Sequence, residues 1–328
     1  MEQKAYIIGE ETVKKYLTPE DVIACVERTW KWYGEGKIVM PNKITTDMTE
    51  LGVAGWFNSM PAYIGPMDVA GLKVVGGYDA NKALGLPYIK ANVVLTDPRT
   101  GILRALISGD YINDMRTGAQ PAIMARILAA KTDVVTIIGT GLQGYTSLLC
   151  MGKVLDIKEV RVCDISEEAK QRFMSRFPDA PWRFVNCATN EEGCRGADII
   201  VTVTNANADL VEEPWVKEGA LVMTMGSFRE TSFDVVRKAD KIAVDQVGQS
   251  LHRGNVKELA EMGEITAESF DIIVPDVLAG KMGARTSPKE RIYAQIIGTG
   301  MLDVAVAGLL LEKIEASGEE IFRYDMTK

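Results

Sequence analysis

Apolar and polar positions follow two rhythms along this chain. In the first forty residues, after a short strand at 5–8, Val22, Ile23, Val26, Trp30 and Tyr33 recur at helical spacing. Thr18-Pro19-Glu20-Asp21 ahead of them is a helix start: a capping threonine, proline in the first turn, then two acids. Gly34 and Gly36 end that helix. Between 38 and 110 the rhythm shortens. Residues 38–40, 52–57, 69–75, 88–95 and 102–107 read as short strands, and Asp97-Pro98-Arg99-Thr100-Gly101 is a turn that makes a hairpin of the last two. Strands in succession without helices between them predict a mostly antiparallel sheet.

After a helix predicted over 113–131, the pattern becomes strand, helix, strand. Strands are expected at Val134–Ile138, 160–163, 184–187, 198–204, 220–225 and Lys241–Val244. This alternation predicts a parallel, doubly wound sheet. A last apolar helix over 300–315, with Met301, Leu302, Val304, Ala305, Leu309 and Leu310, lies outside the alternation and is expected to pack back on the N-terminal sheet. The expected fold is therefore α/β: a Rossmann doubly wound parallel sheet domain, 120–301, inserted into a mixed α+β domain, 1–119 plus 302–328.

The chemistry concentrates where the second rhythm begins. The strand Val134–Ile138 runs into Gly139-Thr140-Gly141-Leu142-Gln143-Gly144, then a helical stretch, then a strand ending at Asp164. Gly139 allows the tight turn, Gly141 lets a pyrophosphate approach the backbone, and Gly144 lets the helix pack close to the sheet. The free N–H groups and dipole of the helix start favour phosphate. Asp164 stands about twenty residues past the last glycine, where an acid bonds a ribose 2′-hydroxyl. Its carboxylate would repel a 2′-phosphate, so NAD(H) is expected over NADP(H). Arg161 and Arg172 are the cations nearby in sequence.

Composition narrows the class. The chain has 328 residues and a formal net charge of −8, with 47% hydrophobic and 25% charged residues. No basic block suggests a nucleic-acid partner. No apolar run is long enough for a membrane span, and the N-terminus lacks a signal-peptide pattern, so a cytoplasmic protein is expected. The cysteines at 25, 150, 163, 187 and 194 form no C-x-x-C pair and read as buried thiols, and the single histidine, His252, reads as surface. No metal site is expected.

The chain resembles the ornithine cyclodeaminase/μ-crystallin family. The residues that carry the likeness are Met60-Pro61-Ala62-Tyr63, Gly71-Leu72-Lys73-Val74-Val75, Gly85-Leu86-Pro87, Thr96 to Gly101, and Met115-Arg116-Thr117-Gly118-Ala119. Beyond the fingerprint come Gly196 to Thr202, Met225-Gly226-Ser227, Gly283 to Thr286, and Gly298-Thr299-Gly300-Met301-Leu302-Asp303. The resemblance assigns substrate binding and dimerisation to the mixed α+β domain, and implies a homodimer through the N-terminal sheet and a site between the two domains. It implies that Lys73 and Arg116 hold a substrate α-carboxylate, with Lys43 where the family usually has arginine. Dinucleotide contacts are expected from Gly139, Thr140, Gly141, Leu142, Gln143, Gly144 and Asp164. Arg116, Thr117, Thr204, Met225, Gly226 and Gly298 complete that expectation.

Two departures bear on the reaction. Phe228 stands where cyclodeaminase members have an aspartate for the ammonium that is lost, and Asn58 where they have a glutamate. Both are expected to line the substrate, and Asp79 or Asp303 are the acids left to take over the ammonium. The expected activity is an NAD(H)-dependent oxidoreductase acting on the Cα–N bond of a small amino or imino acid: amino-acid dehydrogenase, ketimine reductase or opine-type reductive coupling. Lys73 is the expected proton-transfer group. The alternatives are ornithine cyclodeamination with catalytic NAD, and a crystallin-like nucleotide-binding protein without turnover.

Overall fold

The computed structural model describes residues 3–327. The chain divides into two compact units, one formed by residues up to Arg116 and again from Thr299, the other by Thr117–Gly298. Each division falls three residues before the boundary expected from the sequence. No break in the apolar pattern marks the first, because it lies inside a continuous helix.

In the first unit, β1 (Lys4–Ile8) leads to α1 (Glu10–Tyr16) and α2 (Pro19–Gly34). Thr18 caps α2: its hydroxyl accepts from the Asp21 N–H at 3.2 Å, and the Asp21 carboxylate accepts from the Thr18 N–H at 3.0 Å. Then come β2 (Ile38–Val39), β3 (Ile44–Asp47), β4 (Gly55–Ile64), β5 (Val69–Tyr78), β6 (Ile89–Thr96) and β7 (Leu103–Ser108), followed by α3 (Asp110–Leu128). The strands lie in the order β1-β7-β6-β5-β4-β2, with β3 also on β4. Pairing is antiparallel except between β1 and β7. β3 carries no apolar alternation, since all four of its residues are exposed, and β4 runs through Pro61. Pro61 falls between the stretches paired with β3 and β2, where β4 has one neighbour instead of two.

The second unit holds β8 (Val134–Ile138), α4 (Leu142–Val154), β9 (Glu159–Cys163), α5 (Glu167–Ser175), β10 (Arg183–Asn186), α6 (Asn190–Cys194), β11 (Ile199–Thr202) and β12 (Leu221–Met225). It continues with α7 (Phe233–Arg237), β13 (Lys241–Val244), α8 (Val247–Ser250), α9 (Lys257–Glu261), β14 (Ile272–Ile273), α10 (Val274–Leu278) and β15 (Ile292–Ile296). The sheet order is β10-β9-β8-β11-β12-β15-β13-β14, parallel throughout. β8 sits where the strand order reverses, so its C-terminal end is the position at which such sheets bind ligands. β14 and β15 were not expected. β15 is central and wholly buried, but its sequence, IYAQI, breaks the apolar run with tyrosine and glutamine. The Tyr293 hydroxyl bonds Thr224 at 2.6 Å, and Gln295 Nε2 donates to the carbonyls of Ser250 and Arg253, both at 3.0 Å.

The chain returns to the first unit through α11 (Gly300–Ser317) and ends in β16 (Arg323–Asp325), antiparallel to β1. α11 lies on β4, β5 and β6 beside α2. It is buried on nearly all sides, which is why it reads as apolar all round. A Cβ on Gly300 would stand 2.6 Å from the Met60 carbonyl oxygen, so only glycine lets the helix start this close to β4.

Candidate active site

The turn between β8 and α4 is shaped by three glycines in three ways. Gly139 has φ of 105°, and a Cβ there would lie 2.8 Å from the Val203 carbonyl oxygen. A Cβ on Gly144 would lie 2.1 Å from the Gly139 carbonyl oxygen. A Cβ on Gly141 would meet nothing within 4 Å, and Gly141 caps α4 without any side-chain bond. The first turn of this thirteen-residue helix thus presents N–H groups towards open space, which suits a pyrophosphate. Leu142 beside it is half-exposed.

Asp164 braces the same turn. Its carboxylate accepts from the Thr140 N–H at 2.8 Å, the Thr140 hydroxyl at 2.6 Å and the Ser166 N–H at 3.0 Å. Burial pushes its carboxyl up, but the bonds from Thr140 and Ser166 outweigh that and hold it below the usual range. Arg161 is occupied elsewhere: it bonds Glu159 at 2.6 Å and the carbonyls of Gly193 and Arg195. Arg172 is exposed on α5.

The other expected cofactor residues of this unit sit at strand ends. The Thr204 N–H and hydroxyl donate to Glu230 at 2.6 and 2.7 Å. Met225 closes β12, Gly226 follows with φ of 102°, and Phe228 beyond it is exposed. The Gly298 N–H donates to Asp245 at 2.8 Å, and Gln120 on α3, in the helix turn after Thr117, reaches the same carboxylate at 3.3 Å. Glu230 and Asp245, both fully buried, were missed in the sequence, where nothing in the residues around them signals a role. Burial pushes the Glu230 carboxyl up to about 7 against the bonds from Thr204 and Thr202.

In the first unit, the fold brings Lys73 and Arg116 together. Lys73 lies on the inner face of β5 and is completely buried. Its Nζ donates to Asn113 Oδ1 at 2.9 Å and pairs with Asp303 at 2.8 Å. Arg116, one helical turn beyond Asn113 on α3, donates through Nε to Asp303 at 2.9 Å and through a terminal nitrogen to Asn113 Oδ1 at 2.8 Å. Burial, then the Arg116 charge, push the Lys73 amine down to about 7, against Asp303. Burial also pushes the neighbouring Asp114 carboxyl up to about 6. Asp303 joins the cluster from the first turn of α11. The signal for it was a single acid in the apolar run from Gly300 to Leu311. Its engagement with two cations takes it out of the role of ammonium acceptor, and Asp79 is exposed. Asn58 is buried on β4, where it accepts from the Thr45 hydroxyl at 2.6 Å; Lys43 is half-buried just before β3.

All five cysteines are buried free thiols, and His252 is exposed. No group of three His, Cys, Asp or Glu side chains suited to a metal occurs among the described residues. No helix among them is long and apolar enough to cross a membrane.

A doubly wound parallel sheet, with a glycine-cornered turn at its switch point and an acid ending the next strand, is a Rossmann-type unit. The chain belongs to the ornithine cyclodeaminase/mu-crystallin family, which it matches over residues 4–318. It is 32% identical over 313 residues to the alanine dehydrogenase of Archaeoglobus fulgidus, covering 93% of this chain and 94% of that one. An archaeal alanine dehydrogenase dimer with bound NAD superposes with a TM-score of 0.92 at 30% identity, covering 98% of this chain and 99% of that one. The Δ1-pyrroline-2-carboxylate reductase of Thermococcus litoralis, in complex with NADH and L-proline, gives 0.89 at 26% identity over 95% of this chain and 98% of that one.

Proposed function

We infer that this protein is an NAD(H)-dependent oxidoreductase acting on the Cα–N bond of a small amino or imino acid. The observation that carries the reading is the convergence of Lys73 and Arg116, both buried, on one side-chain cluster. Two buried cations favour an anion beside them. Arg116 supplies a planar fork suited to a carboxylate. Relatives named for alanine dehydrogenase and pyrroline-2-carboxylate reductase, both of which handle α-carboxylates, support the same reading.

In the oxidative direction the substrate ammonium gives up a proton and Cα gives up a hydride, leaving an iminium acid. Water then replaces the nitrogen, giving a 2-oxo acid and ammonium. When bound, the dinucleotide supplies the hydride acceptor. Arg116 and Lys73 hold the carboxylate and so fix Cα, an orientation effect that contributes several kcal/mol in well-positioned systems. Lys73 is also the group able to take the nitrogen's proton and return it in the reverse direction, because burial has lowered its amine to about 7. Asp303 and Asn113 aim both cations. Asp164 favours NAD(H): it stays ionised, and Arg161 is committed to Glu159 and backbone carbonyls.

Cyclodeamination is less well supported. It needs carboxylates for the second amino group, and Phe228 and Asn58 stand at those positions while Asp303 is paired. The test is an assay of the purified protein with NAD+ and L-alanine, L-proline and L-ornithine in turn. NADH formed with alanine or proline supports the proposal. Ammonia and proline from ornithine, without net NADH, would replace it with the cyclodeaminase. Nucleotide binding without either reaction would leave a crystallin-like binder.

A further inference from the structure

Asn58 lies on β4, two residues from Met60 and on the same face of the sheet. Met60 pairs with Lys73 across β5, and Asn58 pairs with Val75. The diagonal neighbours Asn58 and Lys73 are therefore separated by about 7–8 Å. Asn58 is only 7% exposed. Its Oδ1 accepts from the hydroxyl of Thr45, its direct partner on β3, at 2.6 Å. A hydroxyl donating to Oδ1 fixes which end of the amide faces β3. The Nδ2 end is turned the other way, and no described residue accepts from it. The strand neighbours of Asn58, Met60 and Val75, belong to an apolar cluster with Ala91 and Ile89.

From this geometry we propose that Asn58 determines specificity by donating from Nδ2 to an acceptor on the substrate side chain, and that Thr45 is the positioning residue that sets the amide. The proposal rests on the reading that Lys73 and Arg116 take the α-carboxylate. Lys73 Nζ, the Arg116 guanidinium and Asn58 Nδ2 are donors, and the acceptor Asn113 Oδ1 is engaged by the two cations. The one acid in the cluster, Asp303, is consumed by the two cations. The favoured substrate is a short α-amino or α-imino acid whose side chain ends in a carboxamide, carboxylate or hydroxyl. A hydrocarbon side chain of the same shape leaves a buried N–H unpaired, and sites built around such a bond reject the analogue that lacks it. An ammonium side chain brings a second donor to Asn58 Nδ2, where an acceptor is needed.

The test uses two carboxylates of matched shape, succinamate and 4-methylpentanoate, titrated calorimetrically into the NADH-loaded protein. The wild type is expected to bind succinamate about tenfold more tightly. Asn58→Leu should erase or invert that ratio while propanoate, which has no side-chain acceptor, binds within about twofold of wild type and reports an intact clamp. Thr45→Val should lower the ratio in part, and Thr45→Ser should restore it. In turnover with NAD+, the kcat/KM ratio of L-asparagine to L-leucine should follow the same order. Equal binding of the two carboxylates by the wild type, or a ratio that Asn58→Leu leaves unchanged, overturns the proposal. The two readings fail separately. An Asn58-dependent preference without oxidation of any amino acid would sink the oxidoreductase reading alone. Oxidation of alanine without any acceptor preference would sink this one alone.

Discussion

At the scale of single residues, Lys73 and Asp303 make opposite predictions although they form one pair. Removing Asp303 leaves Lys73 and Arg116 buried without their shared counter-charge, and breaking a buried pair this way costs about 3–5 kcal/mol. Asp303→Ala should therefore lower stability in denaturant by that much, and an unchanged midpoint would refute the pairing. Removing Lys73 is different, because Asp303 keeps Arg116. Lys73→Met should hold or raise the melting temperature while cutting kcat by about 10²–10⁴-fold, the range for loss of a proton-transfer group. The pH dependence separates them further. The Lys73 amine falls to about 7 in the fold from its ordinary value near 10.5. Between those values the unfolded chain binds a proton that the folded chain does not, so stability rises with pH across that window and gains nothing further above it. Wild type and Lys73→Met compared at pH 7, 8 and 9 should show that slope only in the wild type. Amino-acid oxidation should rise through pH 7 as Lys73 loses its proton, and a rate flat from pH 6 to 8.5 would remove it from proton transfer.

At the scale of elements, the β8–α4 turn and the end of β9 are joined by Asp164 alone among the acids placed there. Asp164→Ala removes the two bonds that hold Thr140 and, if the proposed cofactor role holds, the acceptor for the ribose. NADH affinity should fall by about tenfold or more, and the NADH-to-NADPH preference should narrow because the repulsion of a 2′-phosphate is gone. Equal kcat/KM of the wild type with both cofactors would contradict the role. This element was legible because its glycines, helix and acid are adjacent in sequence and each has a local reason. β15 was not legible. Its buried tyrosine and glutamine are satisfied by Thr224, Ser250 and Arg253, residues more than forty positions away, so no local pattern could show a central strand. β3 hid for the opposite reason, being an exposed edge strand with no apolar face. The Lys73 cluster was half visible. A lysine within an apolar strand invites the question of its partner, but the answer, Asp303, arrives 230 residues later on another element.

At the scale of the whole molecule, the two faces of the first unit's sheet differ in how fully they are buried. α11 and α1 lie on the face that carries Ala105, Ile107 and Val93. On the opposite face, register places Ile7, Leu106, Val94, Leu72 and Pro61 in one row across five strands. Ile7 and Leu106 remain 38% and 40% exposed. A partly exposed apolar row across a sheet is a surface for association. A second copy of the chain is the partner the family resemblance favours, and a related alanine dehydrogenase is a dimer. We therefore predict a homodimer that uses this face. Leu106→Arg puts a charge in the middle of the row but touches none of the buried core, so each protomer should fold while association fails. Sedimentation at micromolar concentration should give twice the 35.9 kDa chain mass for the wild type and the single chain mass for Leu106→Arg, with circular dichroism unchanged. A wild type that sediments at 35.9 kDa would refute the dimer, and a variant that remains dimeric would move the interface off this face.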